Sequence, residues 1–444
     1  MKYKKPNLFC YRIAQIAAWL VATFIFRRKF QRNEIKGKQG PFVVIANHQA
    51  ALDFVNLIGA TSRPMSFVIS NSFFNTLPIR GFLEKMGVIP KQQFQTAVRD
   101  MKRMKTVIDQ GEPIVIYPAG LMCEDGLSTP IPAATYKFLK WLDADVYVAK
   151  TIGTYFAMPK WSSGFRPGRT YMDIYKLFSR DELRALDVSQ VKEKAEEAIL
   201  FDAYREQEKY LVKYNRGNDL RGLEHVLYQC PHCHAEFTIE NVDSDRLRCS
   251  TCGYELQSDE YGFLHKSCSK GEEIRYVSDW SRLIYNRLKE KILSGLQDSL
   301  SCQTVIRMID YDRKKFMDVG QGTLTLDRNQ FTITGQIRGE ETTLAIPIAG
   351  VPTLPFKPGK YLEVQQGSDI YRCVLSNGPM VMKFINMLKI FHELGSKKSR
   401  PQFPSDNTLT PLFPYGNRGV LFTTLFTLYH SDESCHRSAL SALP

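Results

Sequence analysis

From Phe42 to about Phe178, short apolar runs alternate with stretches of helical period. The segments "FVVIA" (42–46), "MSFVIS" (65–70), "IVIY" (114–117), "VYVA" (146–149) and "YMDIYKLF" (171–178) predict strands, and residues 95–108 predict an amphipathic helix between two of them. Such alternation predicts an α/β domain with a mostly parallel sheet. From Ser179 to Lys213 the chain is highly charged and helical in period, opening on "SRDEL", an N-cap serine before an acidic first turn. A further amphipathic helix is expected at about 278–293. Residues 304–375 then break into short alternating runs such as "GTLTLD", "QFTITG" and "DIYRCVL", followed by a closing helix in "GPMVMKFINMLKIFHEL". After Lys397 the chain turns to Ser, Pro and Asn, and disorder is expected there. The apolar "VLFTTLFTLY" within that tail is too short to span a bilayer. No internal repeat is apparent.

The N-terminus has a different pattern. "LFCYRIAQIAAWLVATFIF", Leu8 to Phe26, would make a helix about 28 Å long, barely the thickness of a bilayer core. Arg12, Gln15, Trp19 and Thr23 share one face of it, and the remaining surface is apolar. That suits a helix lying in the membrane interface better than one crossing it. Lys2, Lys4 and Lys5 before it, and Arg27, Arg28, Lys29 and Arg32 after it, are expected to meet anionic headgroups. "FRRKF" stands where a cleavage site would need small residues, which argues for a retained anchor over a signal peptide. A helix buried in the protein's own core is the alternative.

Composition adds two constraints. The chain of 444 residues is too long for one compact domain, and its 43% hydrophobic content is that of a globular protein. Its net charge is +13, and residues 1–40 hold ten Lys/Arg against one acid, Glu34, so the excess is gathered at one end. Of ten cysteines, Cys10, Cys123, Cys268, Cys302, Cys373 and Cys435 are scattered without pairing logic, which points to a reducing, cytoplasmic setting. The other four form Cys230-x-x-Cys233 and Cys249-x-x-Cys252, with fifteen residues between the pairs. That spacing predicts a structural Zn2+ site with Pro231 and Gly253 in its tight turns, and it resembles a zinc ribbon. His232 and His234 stand close by, but four thiolates already close the site, so catalytic zinc is not expected.

Candidate chemistry begins at "NHQAALD". On one regular helix His48 and Asp53 would point to different faces. They can meet only if His48 sits on the loop or first turn after the strand and Asp53 lies one turn inside the helix, at the strand end where α/β proteins place their sites. An imidazole braced by a carboxylate keeps its other nitrogen for a proton. Alone, such a pair is more often structural than catalytic.

Its neighbours change that weighting. "NHQAALD" resembles the His-x-x-x-x-Asp signature of the glycerophospholipid acyltransferase family, of the lysophosphatidate acyltransferase type. "GFLEKMGVIPK" (81–91), "GEPIVIYPAG" (111–120) and "VYVAKTIGTY" (146–155) resemble that family's second, third and fourth blocks in order, and the resemblance covers about the first 215 residues. It implies an acyltransferase fold in which His48 is the general base, oriented by Asp53, with Asn47, Lys91, Pro118 and Gly120 contacting substrate. It further implies acyl-CoA or acyl carrier protein as co-substrate, a lysophospholipid or glycerol-phosphate-type acceptor, and no catalytic metal. Lys91 falls where the family usually has arginine. The third block departs further: the family usually reads Phe-Pro-Glu-Gly-Thr-Arg-Ser, whereas "YPAGLMCED" puts Ala119 at the glutamate and Met122 at the arginine. Glu124 and Asp125 follow, acids where a cation is wanted, and they would repel a phosphate. The acceptor either carries less phosphate or presents it elsewhere, or the site is weakened.

The β-rich segment is similar in pattern to a pleckstrin-homology or GRAM-like module, which implies lipid or protein binding. Within it, Lys357 and Lys360 of "FKPGK" are expected on a solvated turn. The organisation so read is an anchoring helix over 1–38, an acyltransferase domain over 39–215, a zinc ribbon over 226–266, a helix plus β domain over 275–397, and a tail over 398–444. The expected protein is a phospholipid-synthesis acyltransferase on the cytoplasmic face of a membrane, partnered by membrane phospholipids. The rivals are an impaired relative that binds lipid and recruits a partner, and a membrane-tethered nucleic-acid-binding ribbon protein. Against the last, residues 228–264 mix acids with bases and show no basic stripe with interleaved aromatics, so nucleic acid is not an expected partner.

Overall fold

Five consecutive residues, Phe42–Ala46, form a fully buried strand whose alternate side chains enter two different cores. Phe42, Val44 and Ala46 pack into one, Val43 and Ile45 into the other. A strand apolar on both sides belongs in the middle of a sheet covered on both faces. The computed structural model describes residues 5–76, 79–91, 98–310, 312–313, 315–367 and 369–398, and places this strand there. Lys2, Lys4, the first three residues of the expected helix (95–97) and the tail from 399, with its "VLFTTLFTLY" and Cys435, lie outside the described residues.

The first sheet has strands β1 (Lys29–Asn33), β2 (Phe42–Ala46), β3 (Ser66–Ser70), β4 (Ile89–Lys91), β5 (Ile114–Ile116), β6 (Asp145–Ile152) and β7 (Tyr171–Phe178), in the order β1-β7-β6-β2-β5-β3-β4. All neighbours pair parallel except β6 with β7. The expected mostly parallel α/β sheet is therefore present, with β1 as an unforeseen edge strand beside β7. Helices α1 (Leu8–Phe24), α2 (Asp53–Ile58), α3 (Asn71–Thr76), α4 (Arg80–Lys85), α5 (Val98–Asp109), α6 (Ala134–Leu142) and α7 (Thr154–Ala157) connect or cover it. The charged stretch after β7 divides into α8 (Arg180–Ala185), α9 (Val188–Ile199) and α10 (Ala203–Tyr210). Ser179 caps α8 in a reciprocal box with Glu182, and Asp187 does the same for α9 with Gln190.

Helix α1 turns a polar group inward and apolar groups outward. Gln15 donates to the carbonyls of Ile58 and Thr61, at 3.2 and 2.9 Å. Tyr11, Ala18 and Ala22 are buried, while Phe9, Ile13, Ile16, Trp19, Leu20 and Phe24 are exposed. Among the described residues no helix is long and apolar enough to cross a membrane.

A four-stranded antiparallel sheet, β8 (Ile239–Asp243), β9 (Arg246–Cys249), β10 (Glu255–Ser258) and β11 (Leu264–Lys266), incorporates the second cysteine pair at its β9–β10 turn. Helix α11 (Val277–Leu293) leads to seven antiparallel strands: β12 (Leu300–Asp310), β13 (Lys315–Leu326), β14 (Gln330–Ile337), β15 (Glu340–Pro347), β16 (Phe356–Lys357), β17 (Tyr361–Gln366) and β18 (Asp369–Leu375). Gly322 faces Gly335 across β13 and β14, where a Cβ on Gly322 would lie 2.3 Å from the Thr334 carbonyl oxygen. Only glycine permits so close an approach. Helix α12 (Met380–Lys398) closes the module, and one buried apolar cluster runs from Tyr11 to Phe391. The α/β sheet, the cysteine segment and the β-rich module thus share a core.

Candidate active site

Strand β2 ends at Ala46, and the next residues turn back to open α2 at Asp53. His48 Nδ1 lies 2.9 Å from Asp53 Oδ2. That oxygen also accepts the backbone N–H groups of Gln49 and Ala50, at 2.6 and 2.9 Å. Asp53 is fully buried, while the His48 side chain keeps 20% of its surface exposed. An ionised carboxylate only accepts, so the proton between the two groups belongs on Nδ1 and Nε2 is left as an acceptor. Tyr117 lies against the imidazole with ring centroids 4.5 Å apart. The His48 carbonyl receives the Cys123 N–H at 3.2 Å, which ties the loop of the third block to that of the first.

A shallow, solvent-open cleft adjoins His48. Asn47, Pro118 and Ala119 line it, with Thr129, Ile131 and Phe201 also on its wall. The Asn47 amide is tied at both ends to the Thr151 backbone, each bond 2.8 Å. The Ser128 hydroxyl accepts from the Phe201 N–H at 2.7 Å and so stitches the loop to the segment after α9. Two of the expected substrate contacts, Gly120 and Lys91, are not on the pocket wall. Gly120 makes a tight turn, its N–H on the Tyr117 carbonyl at 3.0 Å and its φ at +71°. Lys91 ends β4 at the far edge of the sheet, and burial pulls its amine below the usual range.

Residues 25–161 match the family described as Acyltransferase. The chain carries an acyltransferase domain. A crystal structure of the 1-acyl-sn-glycerophosphate (LPA) acyltransferase from Thermotoga maritima is similar over 46% of this chain and 78% of its own, with 17% identity and a TM-score of 0.38. No curated protein matches the chain by sequence.

The acids that follow the acyltransferase domain's third block do not face the pocket. Glu124 is buried and pairs with Lys389 of α12 at 2.7 Å, with Lys160 Nζ 3.9 Å away. Burial pushes its carboxyl up, but the two ammonium groups outweigh that and hold it below the usual range. Asp125 Oδ2 accepts from the Ser281 hydroxyl of α11. Burial and the neighbouring Glu124 raise the Asp125 carboxyl to about 6. Lys160 is enclosed as well: its Nζ lies 3.3 Å from the centroid of the Phe356 ring and donates to the Met122 carbonyl, and burial brings its amine down to about 8. The expectation that these acids repel a phosphate is corrected, because internal cations already neutralise Glu124. The FKPGK turn is corrected in part. Lys360 is exposed, but Lys357 is half-buried and donates to the Ser162 carbonyl.

Three of the basic residues around α1 have partners within the protein. Arg28 turns inward to the Asn56 carbonyl, Arg32 grips Asp173 through two 2.8 Å bonds, and Lys5 pairs with Glu112 at 3.0 Å. Arg27 and Lys29 stay exposed.

The four cysteines meet as the spacing implies. Sγ–Sγ distances are 3.7 Å for both Cys230–Cys252 and Cys233–Cys249, and all four sulfurs lie within 4.8 Å of one another. Four thiolates at the ~2.3 Å zinc–sulfur distance make a tetrahedron with edges of about 3.8 Å, so the donor set fits zinc. His234 and Gly253, each just after the second cysteine of a pair, adopt φ of +64° and +74°. The centre sits under α11, where Trp280 donates to the Gln229 carbonyl at 2.9 Å and Arg287 to that of Pro231 at 3.0 Å.

Sequence reasoning did not find Tyr117, Lys160, Ser281 or Lys389. Tyr117 could have been noticed as the residue beside Pro118. The others carry no local signal, because their partners are distant in the chain.

Proposed function

We propose that this chain is a membrane-associated O-acyltransferase that moves a fatty acyl group from acyl-CoA or acyl carrier protein to the hydroxyl of a lysolipid acceptor. The observation that carries this reading is the Asp53-held imidazole of His48, open to a pocket inside an acyltransferase domain. His48 Nε2 takes the acceptor proton as the hydroxyl oxygen attacks the thioester carbonyl. The C–O bond forms, the C–S bond breaks, and the imidazolium returns the proton to the departing sulfur. Asp53 stabilises the imidazolium.

The exposed apolar face of α1 supports attachment to one leaflet, on the cytoplasmic side, with Arg27 and Lys29 toward headgroups. Cys230, Cys233, Cys249 and Cys252 would hold a structural zinc ion, as in a zinc ribbon. Seven antiparallel strands closed by one helix are the arrangement of a pleckstrin-homology or GRAM-like module. Transfer of labelled acyl groups from acyl-CoA to a lysolipid panel by the purified full chain tests the proposal. Equal, background-level transfer by wild type and His48→Ala would overturn it.

A further inference from the structure

The pocket beside His48 is unusual in its charge. Its wall is built from Pro118 and Ala119 on the third block, Thr129 and Ile131 on the loop after it, and Leu200 and Phe201 beyond α9. Among the described residues lining it there is no lysine, arginine or carboxylate, and His48 is the one titratable group.

Cations do pack near this loop, but they face away. Lys389 and Lys160 are both directed at Glu124, and Lys160 also lies over the Phe356 ring. The carbonyl of Met122 accepts from Lys160 at 3.3 Å, which fixes the backbone of the third block against that internal cluster. Lys91 stands on β4, three strands from β2 in the sheet order, which is roughly 14 Å at the usual strand spacing. A phosphate monoester carries about −1.5 to −2 charges at pH 7. A neutral wall offers it no counter-charge for the water it would lose.

Resting on the acyltransferase reading above, we propose that the acceptor presents its hydroxyl from a lipid without a phosphate monoester. The segment beside the reacting hydroxyl is uncharged, and any phosphodiester headgroup lies outside the pocket. Ala119, on the pocket wall, then helps to define acceptor class, and its departure from the third block is not a decay of the site.

The test compares three acceptors in mixed micelles of fixed surface composition: monoacylglycerol, lysophosphatidylglycerol and lysophosphatidate. The full chain is expected to show a kcat/KM for lysophosphatidate at least about tenfold below the other two. Ala119→Arg, which sets a cation on the wall, is expected to raise lysophosphatidate use relative to monoacylglycerol several-fold, and Ala119→Leu is not. Lysophosphatidate as the best acceptor, or rates within twofold for all three, would overturn the proposal while leaving the acyltransferase reading in place. Transfer no greater than that of His48→Ala on every acceptor would overturn both.

Discussion

Asp53 Oδ2 receives three hydrogens at once: His48 Nδ1–H at 2.9 Å and the backbone N–H groups of Gln49 and Ala50 at 2.6 and 2.9 Å. The carboxylate therefore fixes the imidazole and the loop that carries it. Asp53→Asn is expected to lower kcat by about two to four orders of magnitude, because an amide cannot accept all three hydrogens or stabilise the imidazolium. Steady-state acyl transfer measures this. A loss below about threefold would remove Asp53 from the proposed mechanism.

Glu124 is buried with Lys389 as its nearest cation. Lys389→Met leaves that carboxylate with only the more distant Lys160, and a loss of about 3–5 kcal/mol is expected. Adding Glu124→Gln should recover a large part of it. Urea unfolding of the two single variants and the double variant gives the coupling; simple additivity would contradict the pairing.

Asp125 supplies a pH dependence. Its carboxyl titrates near 6 in the folded chain, against 3.8 as the ordinary value. Between those values folding takes up a proton, so this group lowers stability as pH rises from about 4 to 6 and by a constant amount above. Glu124, Lys389, the Ser281 hydroxyl and the Leu127 N–H are the groups that act on it. Asp125→Asn removes the titration. The variant is expected to gain on wild type across that window, by at most about 3 kcal/mol. A stability difference that does not change between about pH 4 and 7 would refute this.

The cysteine centre is expected to hold one zinc ion per chain, and Cys230→Ser to lose it. Trp280 donates to the Gln229 carbonyl, one residue before Cys230. Zinc removal by a chelator should therefore red-shift tryptophan emission and lower the melting temperature. Full zinc loss with no change in either signal would show that the metal does not support the surrounding fold.

Membrane attachment through α1 is open to a direct measurement. Replacing Phe9 and Ile16, both exposed, by serine is expected to cut sedimentation with phosphatidylglycerol-containing vesicles at least severalfold while leaving the fold intact by circular dichroism. Unchanged sedimentation would assign binding elsewhere.

The strands were legible because burial on both faces leaves continuous apolar runs, as in Phe42–Ala46. The His48–Asp53 contact was legible too, since a strand running into a turn and helix leaves few ways to place residues five apart. Side-chain direction was not. Gln15 reads as part of the polar face of an interfacial helix and Arg28 as a headgroup contact, yet both find backbone carbonyls near α2, a choice set by tertiary packing. Glu124 and Lys389 lie 265 positions apart, and no local pattern marks either as the other's partner.

That separation also bears on synthesis. At about 5–20 residues per second, roughly 13–50 s pass between the emergence of Glu124 and that of Lys389. During this interval the third-block loop lacks both its principal counter-ion and the helix that carries it. A ribosome-bound chain would then already hold His48, Asp53 and the pocket wall through Phe201 while the buried Glu124 still waits for its counter-ion from α12.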